Sequence, residues 1–324
     1  MLSSQRSEMP VSPAVSNFMD RTADILAGID RRSPRAIARA ISLVENGDTC
    51  AAEILAGLNT DSSAYIVLGI TGPPGAGKST LTDSLISYFR SENKRVGVIA
   101  VDPSSPLTGG AILGDRIRMM KHATDVDVVM RSMATRGRLG GICNATGAAV
   151  RIMASSGCEI VLIETVGVGQ SEIDVIGLAD QTIMVLAPGL GDDIQAMKAG
   201  ILEVADFVAV NKADLPGSDT LIMEMEQVFR DRGVADTSVV DRVYATIAPE
   251  GKGVAELVSA VDALEAHLCQ SGRKDRQRRD KFNKQVLDWS LELIKPELES
   301  EIIRGNYPVT GDPRQYAQQL VRKL

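Results

Sequence analysis

The stretch Gly72-Pro73-Pro74-Gly75-Ala76-Gly77-Lys78-Ser79-Thr80 restricts the folds open to this chain more than any other. It follows the apolar run Tyr65 to Ile70, precedes a helical pattern from Leu81 to Phe89, and fills every fixed position of G-x-x-x-x-G-K-[ST]. A loop of this kind belongs between a strand and a helix. Its glycines let backbone N–H groups wrap a phosphate chain, and the helix that follows adds the positive end of its dipole. Gly72, Pro74, Gly75, Ala76, Gly77, Lys78, Ser79 and Thr80 are therefore the expected phosphate cradle. Lys78 supplies a point charge at the β/γ-phosphates, and the Ser79 hydroxyl is a hard oxygen donor suited to Mg²⁺.

The surrounding pattern agrees with that placement. Short apolar runs at 65–70, 96–101, 126–130, 160–163, 183–186 and 207–210 are separated by helical stretches. Strands apolar on both faces imply a mostly parallel sheet covered by helices on each side, the doubly wound α/β architecture. Ahead of it, Ile37, Ala40, Ile41 and Val44 recur at helical spacing, and the break Asn46-Gly47-Asp48 marks an N-terminal helical pair. After Leu268 comes the charged run Arg273 to Lys281, which reads as a solvated helix face. An amphipathic stretch with Val286, Trp289, Leu291 and Leu293 follows, able to pack on the sheet or on another subunit. The expected division is a helical segment over 1–60, a nucleotide-binding domain over 61–268 and a helical arm over 269–324. A chain of 324 residues that is 44% hydrophobic can bury the core this requires.

Which base is bound is decided by Asn211-Lys212-Ala213-Asp214 at the end of the run 207–210. In an N-K-x-D turn the aspartate accepts hydrogen bonds from guanine N1 and N2, a pattern adenine does not offer, so Asn211, Lys212 and Asp214 point to GTP/GDP. Ile247-Ala248 stands where a Ser-Ala pair ordinarily touches the base, which makes Ala248 the expected contact. Three acids could hold Mg²⁺ beside Ser79. They are Asp102 at the end of the second strand, Asp115 in the loop after it, and Glu164 at the end of the run 160–163, since carboxylates at strand C-termini face the ligand crevice. Glu164-Thr165-Val166-Gly167 occupies the place of a D-x-x-G switch, with Gly167 N–H available to the γ-phosphate. Val168 stands where a water-orienting glutamine would be expected, so intrinsic hydrolysis should be slow. The missing group would come from Gln170, from the loop 191–198, or from a partner.

Composition removes several other classes. A formal net charge of −7 leaves no global positive field for nucleic acid. Cys50, Cys143, Cys158 and Cys269 are scattered and do not group with His122 or His267, which suits a reduced compartment and free thiols. No run approaches the roughly 18 apolar residues of a membrane span, so the expectation is a cytoplasmic protein with no membrane partner.

Taken together, these motifs resemble the MeaB/ArgK group of metallochaperone-type P-loop GTPases, which includes the methylmalonic aciduria type A protein. The resemblance covers about Ser33 to Leu268 and rests on Val101-Asp102-Pro103-Ser104-Ser105-Pro106 with Thr108 to Arg116, on Glu164 to Glu172, and on Pro188 to Lys198. It implies a GTP-dependent chaperone of an adenosylcobalamin-dependent acyl-CoA mutase, coupling hydrolysis to cofactor loading. It further implies a homodimer joined through C-terminal helices and a third switch carrying Lys198 that responds to the mutase. Arg116, Arg118, Arg131, Arg136 and Arg138 could contact that partner or a phosphate, or lie at the surface. Two other readings are a nickel or zinc metallochaperone, which the scattered cysteines and two histidines disfavour, and a small-molecule P-loop kinase, which the N-K-x-D turn disfavours.

Overall fold

The apolar runs become strands because both of their faces are covered. The computed structural model describes residues 13–59, 64–102, 120–134, 141–165, 177–190, 205–231, 240–305 and 312–322, with backbone alone for 13–20, 102, 120, 134 and 141–143. Among the described residues the strands are β1 (Ile66–Thr71), β2 (Val96–Asp102), β3 (Val128–Ala134), β4 (Ile160–Thr165), β5 (Gln181–Leu186), β6 (Phe207–Asn211) and β7 (Val243–Thr246). They form one sheet in the order β3-β2-β4-β1-β5-β6-β7. Every pairing is parallel.

Period-two alternation divides the strand residues between layers. Ile66, Leu68, Ile70, Leu162, Ile183, Val185 and Phe207 face a cluster with α4 (Lys78–Ser91) and α7 (Val254–Gln270). Val67, Ile99, Val161 and Ile163 face the opposite layer. There α1 (Pro13–Asp30), α2 (Pro34–Glu45), α3 (Ala51–Gly57) and α5 (Gly141–Ser155) pack. Met184, Leu186, Val208 and Val210 pack against α6 (Ser218–Asp231).

Three local expectations change. The third strand starts at Val128 rather than 126 and runs on through Arg131 and Ser132. Among the described residues it pairs with β2 alone and forms the sheet edge, where polar residues are tolerated, while Val126 stays 75% exposed. The short strand β7 is half-exposed and only four residues long, too little apolar alternation to be read from sequence. The N-terminal pair is three helices, α2 being started by Ser33, whose hydroxyl accepts from Ala36 N–H, and by Pro34. Arg131 ties that layer to the sheet: its guanidinium meets Glu45 Oε2 and Ser42 Oγ, which gives it a structural task.

The charged run 273–281 is not simply a solvated face. It opens α8 (Arg273–Gly305), a 33-residue helix whose first turns press basic side chains onto the edge of the sheet domain. Lys274, 6% exposed, pairs with Glu265. Arg278 makes a two-pronged pair with Asp180 at 3.1 and 2.5 Å, donates to Tyr65 O at 2.8 Å, and sits 4.6 Å over the Tyr65 ring. Lys281 donates to Ala179 O, and burial pushes its ammonium pKa down. Positions 274, 278 and 281 share one helical face. Farther on, Phe282, Val286, Leu287, Leu291 and Leu293 are exposed, and α9 (Pro313–Val321) follows.

Asp180 also accepts the Val67 N–H at 3.0 Å. Asp180→Ala strands a buried guanidinium and a strand N–H together, and is expected to lower unfolding stability by about 3 kcal/mol. Urea denaturation of the full chain measures this, and a shift below about 0.5 kcal/mol, the size of a surface pair, would show that α8 docks without this bridge.

Candidate active site

β1 ends at Thr71 in the middle of the sheet, between β4 and β5, where the strand order reverses. That is the crevice at which open α/β sheets bind ligands. The chain leaves β1 through Gly72 at φ 141°, and a Cβ there would stand 2.1 Å from Val185 O. It enters α4 through Gly77 at φ 95°, where a Cβ would stand 2.3 Å from Asn211 Nδ2. Only glycine meets both the backbone angle and the approach. Between them the loop curls around the Lys78 ammonium, which donates to Gly72 O at 2.7 Å and Pro73 O at 3.1 Å. Pro74, Gly75, Gly77, Lys78, Ser79 and Thr80 line a cleft of about 670 Å³, shared with Asp83, Glu164, Thr165 and Lys212. Ala76 is buried behind it.

Glu164, 5% exposed, stands near the end of β4 in register with Ile70 of β1 and Ala100 of β2. Ser79 Oγ donates to Glu164 Oε1 at 2.6 Å. Sequence positions 79 and 164 are thus brought together at the start of α4 as a hydroxyl and a carboxylate. Such hard oxygen donors fit a divalent cation of the Mg²⁺ type.

At the other end of the cleft the buried Asn211 side chain donates to Ala76 O at 3.1 Å. Its Oδ1 accepts from Thr246 Oγ1 at 3.3 Å and from Ala248 N–H at 3.1 Å. Lys212, at φ 57°, donates to Gly75 O at 2.8 Å. Asp214 is exposed on the following turn. The Lys252 ammonium pKa is pushed up by its pairing with Glu250 and, to a smaller degree, by the Asp214 charge. Ala248 lies beside Asn211 and does not line the cleft.

Gly167, Gln170, Lys198, Asp115, Arg116, Arg118, Arg136 and Arg138 lie outside the described residues, as does the Asp102 side chain. Sequence reasoning passed over three residues that the fold brings in. Asp83 lines the cleft, one helical turn after Ser79 and on the same face. Ser84 Oγ lies 2.5 Å from Ala248 O, joining α4 to the loop after β7, and Thr246 braces Asn211. The i, i+4 spacing from Ser79 could have flagged Asp83. Nothing local marks the other two.

A doubly wound parallel sheet with a complete phosphate loop at its switch point and an N-K-x-D turn at the neighbouring strand end defines a P-loop GTPase. The family model described as methylmalonyl-CoA mutase-associated GTPase MeaB matches residues 37–305, and the chain belongs to that family. A protein named as a GTPase from Pyrococcus abyssi is 42% identical over 291 residues, 88% of each chain. The mitochondrial methylmalonic aciduria type A homolog of Mus musculus is 32% identical over 301 residues, 87% of this chain and 71% of that one. Among solved structures, a LAO/AO transport system kinase superimposes with a TM-score of 0.68 at 23% identity over 97% of this chain and 99% of that one, a likeness of fold. No helix of the described residues is long and apolar enough to cross a membrane.

Gly77→Ala tests the cradle directly, because the added methyl collides with Asn211 and strains the backbone. The expected result is a loss of GTP affinity of about tenfold or more, from strain of about 1–3 kcal/mol. A fluorescent-nucleotide titration reads it, and affinity within about twofold of wild type would mean the loop does not need this geometry.

Proposed function

We propose that this protein is a Mg²⁺-dependent GTPase that acts as chaperone to an adenosylcobalamin-dependent acyl-CoA mutase, coupling GTP hydrolysis to loading and protection of the mutase cofactor. The observation that carries this reading is the match to a mutase-associated GTPase family over residues 37–305. The mouse relative's name, from methylmalonic aciduria, points to the same client chemistry.

In this reading the loop amides and Lys78 hold the β/γ-phosphates, and Asp214 selects guanine. Ser79 and Glu164, with Asp102 and Asp115, would hold Mg²⁺, which supplies charge neutralisation at the phosphate oxygens. Ser79 and Glu164 already contact one another at the cleft, which supports their half of that set. Gly167 senses the γ-phosphate, and Gln170 or the loop carrying Lys198 completes the hydrolytic site when the mutase binds. A loop ordered by the γ-phosphate and relaxed after its loss lets a partner tell GTP from GDP. The arm 269–324 would join two copies, and the exposed apolar side chains Phe282, Val286, Leu287, Leu291 and Leu293 support that assignment.

Steady-state hydrolysis of GTP and ATP, with the protein alone and with adenosylcobalamin-dependent acyl-CoA mutases, tests the proposal. Slow GTP-selective turnover is expected, abolished by EDTA and raised at least about tenfold by the client mutase, a barrier change near 1.4 kcal/mol. Asp214→Asn should erase the GTP-over-ATP preference. Lys198→Ala should keep the basal rate and lose the stimulation. Turnover indifferent to every mutase would remove the chaperone role and leave the GTPase.

A further inference from the structure

One face of α4 carries Asp83, Ser87 and Arg90, at the i, i+4, i+7 spacing that stacks residues along one side of a helix. All three engage the short segment 121–127 that leads into β3. Lys121 Nζ lies 3.4 Å from Asp83 Oδ2 and 3.3 Å from Ser87 Oγ. His122 Nε2 lies 2.9 Å from Asp83 Oδ1 and 3.5 Å from Ser87 Oγ. Arg90 pairs with Asp125 at 2.8 Å and Asp127 at 3.4 Å.

Asp83 differs from the other two because it also lines the nucleotide cleft, together with Ser79 and Thr80 of the same helix face. It is a carboxylate in the wall of a site that must accept a polyphosphate, so left alone its charge opposes the ligand. Its two oxygens face two basic side chains, and neither Lys121 nor His122 lines the cleft. Asp83 Oδ1 is buried and takes no directed hydrogen bond from the described residues, although the imidazole is 2.9 Å away. The His122 contact is therefore one of proximity, and the formal counter-charge is the Lys121 ammonium. The imidazole is 10% exposed and the carboxylate 24%, whereas Lys121 is 66% exposed, so water screens the Lys121 charge more than the His122 contact.

We infer that Asp83, its counter-charge Lys121 and the adjoining His122 form a specificity-determining unit that sets the preference of the site for GTP over GDP. The basic pair holds the carboxylate and offsets its field at the phosphate end. GTP, with one more phosphate, gains more from that offset than GDP. The inference rests on reading the cleft as the phosphate site.

The test is equilibrium titration with fluorescent GTP and GDP analogues in the full-length protein. Lys121→Ala/His122→Ala should weaken GTP about fivefold to tenfold and GDP about twofold, and the difference should shrink as salt rises from about 0.05 M to about 0.5 M. Adding Asp83→Asn to that double variant should bring the GTP-to-GDP ratio back to within about twofold of wild type, since no charge then needs offsetting. Arg90→Ala, on the same face and outside the cleft, should lower thermal stability and leave the ratio alone. An unchanged ratio in the double variant, a loss that Asp83→Asn does not restore, or an equal loss in Arg90→Ala would each overturn the inference and leave the strip a structural tie. Wild-type GTP binding in the same titration checks the underlying reading; its absence would overturn both.

Discussion

The Asn211 carboxamide is where the separate pieces of the nucleotide site are fastened to one another. It is 1% exposed, and every polar atom it offers is used by a different part of the chain. The Nδ2 donor reaches the phosphate loop at Ala76 O, while Oδ1 accepts from Thr246 and from the backbone of Ala248. A polar group this deeply buried is costly unless paired, so the arrangement tolerates little movement. Gly77 is required for the same reason, because the carboxamide occupies the space a Cβ would need. Lys212 repeats the connection one residue later through Gly75 O.

The parallel sheet is what makes that fastening possible. With β1 central and β5 and β6 beside it, the C-terminal ends of β1 and β6 open on the same side of the molecule. The phosphate loop and the N-K-x-D turn, more than a hundred residues apart in sequence, then meet across the one strand between them. β4, on the other flank of β1, delivers Glu164 to Ser79 by the same geometry. The proposed cation site and the proposed base site are therefore set by strand order, and the loops only finish them.

At the opposite end of the strands, charge is used differently. Arg278, Lys274 and Lys281 of α8 satisfy carbonyls and carboxylates near the start of β1, the start of β5 and the end of α7. Tyr65, immediately before β1, is covered by the Arg278 guanidinium. The C-terminal helix thus grips the same central strand whose other end carries the phosphate loop. Beyond Lys281 the helix leaves Phe282, Val286, Leu287, Leu291 and Leu293 exposed, while Glu292 still accepts a hydrogen bond from Asn144 of α5.

Much of this was legible in local sequence. The phosphate loop, the N-K-x-D turn, six of the strands and the layer order follow from short-range rules, because glycine at positive φ, an apolar run covered on both faces and a helix start each leave a mark within a few residues. The sequence also pointed to the family, through segments long enough to be distinctive. What it could not show depends on partners remote along the chain. The basic run 273–281 looks solvated until Asp180 and Glu265 are seen to face it. Asp83 looks like an ordinary surface acid until α4 is laid beside the segment before β3. The four residues of β7 carry too weak an alternation to identify themselves, and pairing with β6 makes them a strand. Sequence by itself determined six of the strands and which chemistry the loop can do. Tertiary structure decided strand order, and with it which side chains share the cleft, because those contacts join positions that no local pattern relates.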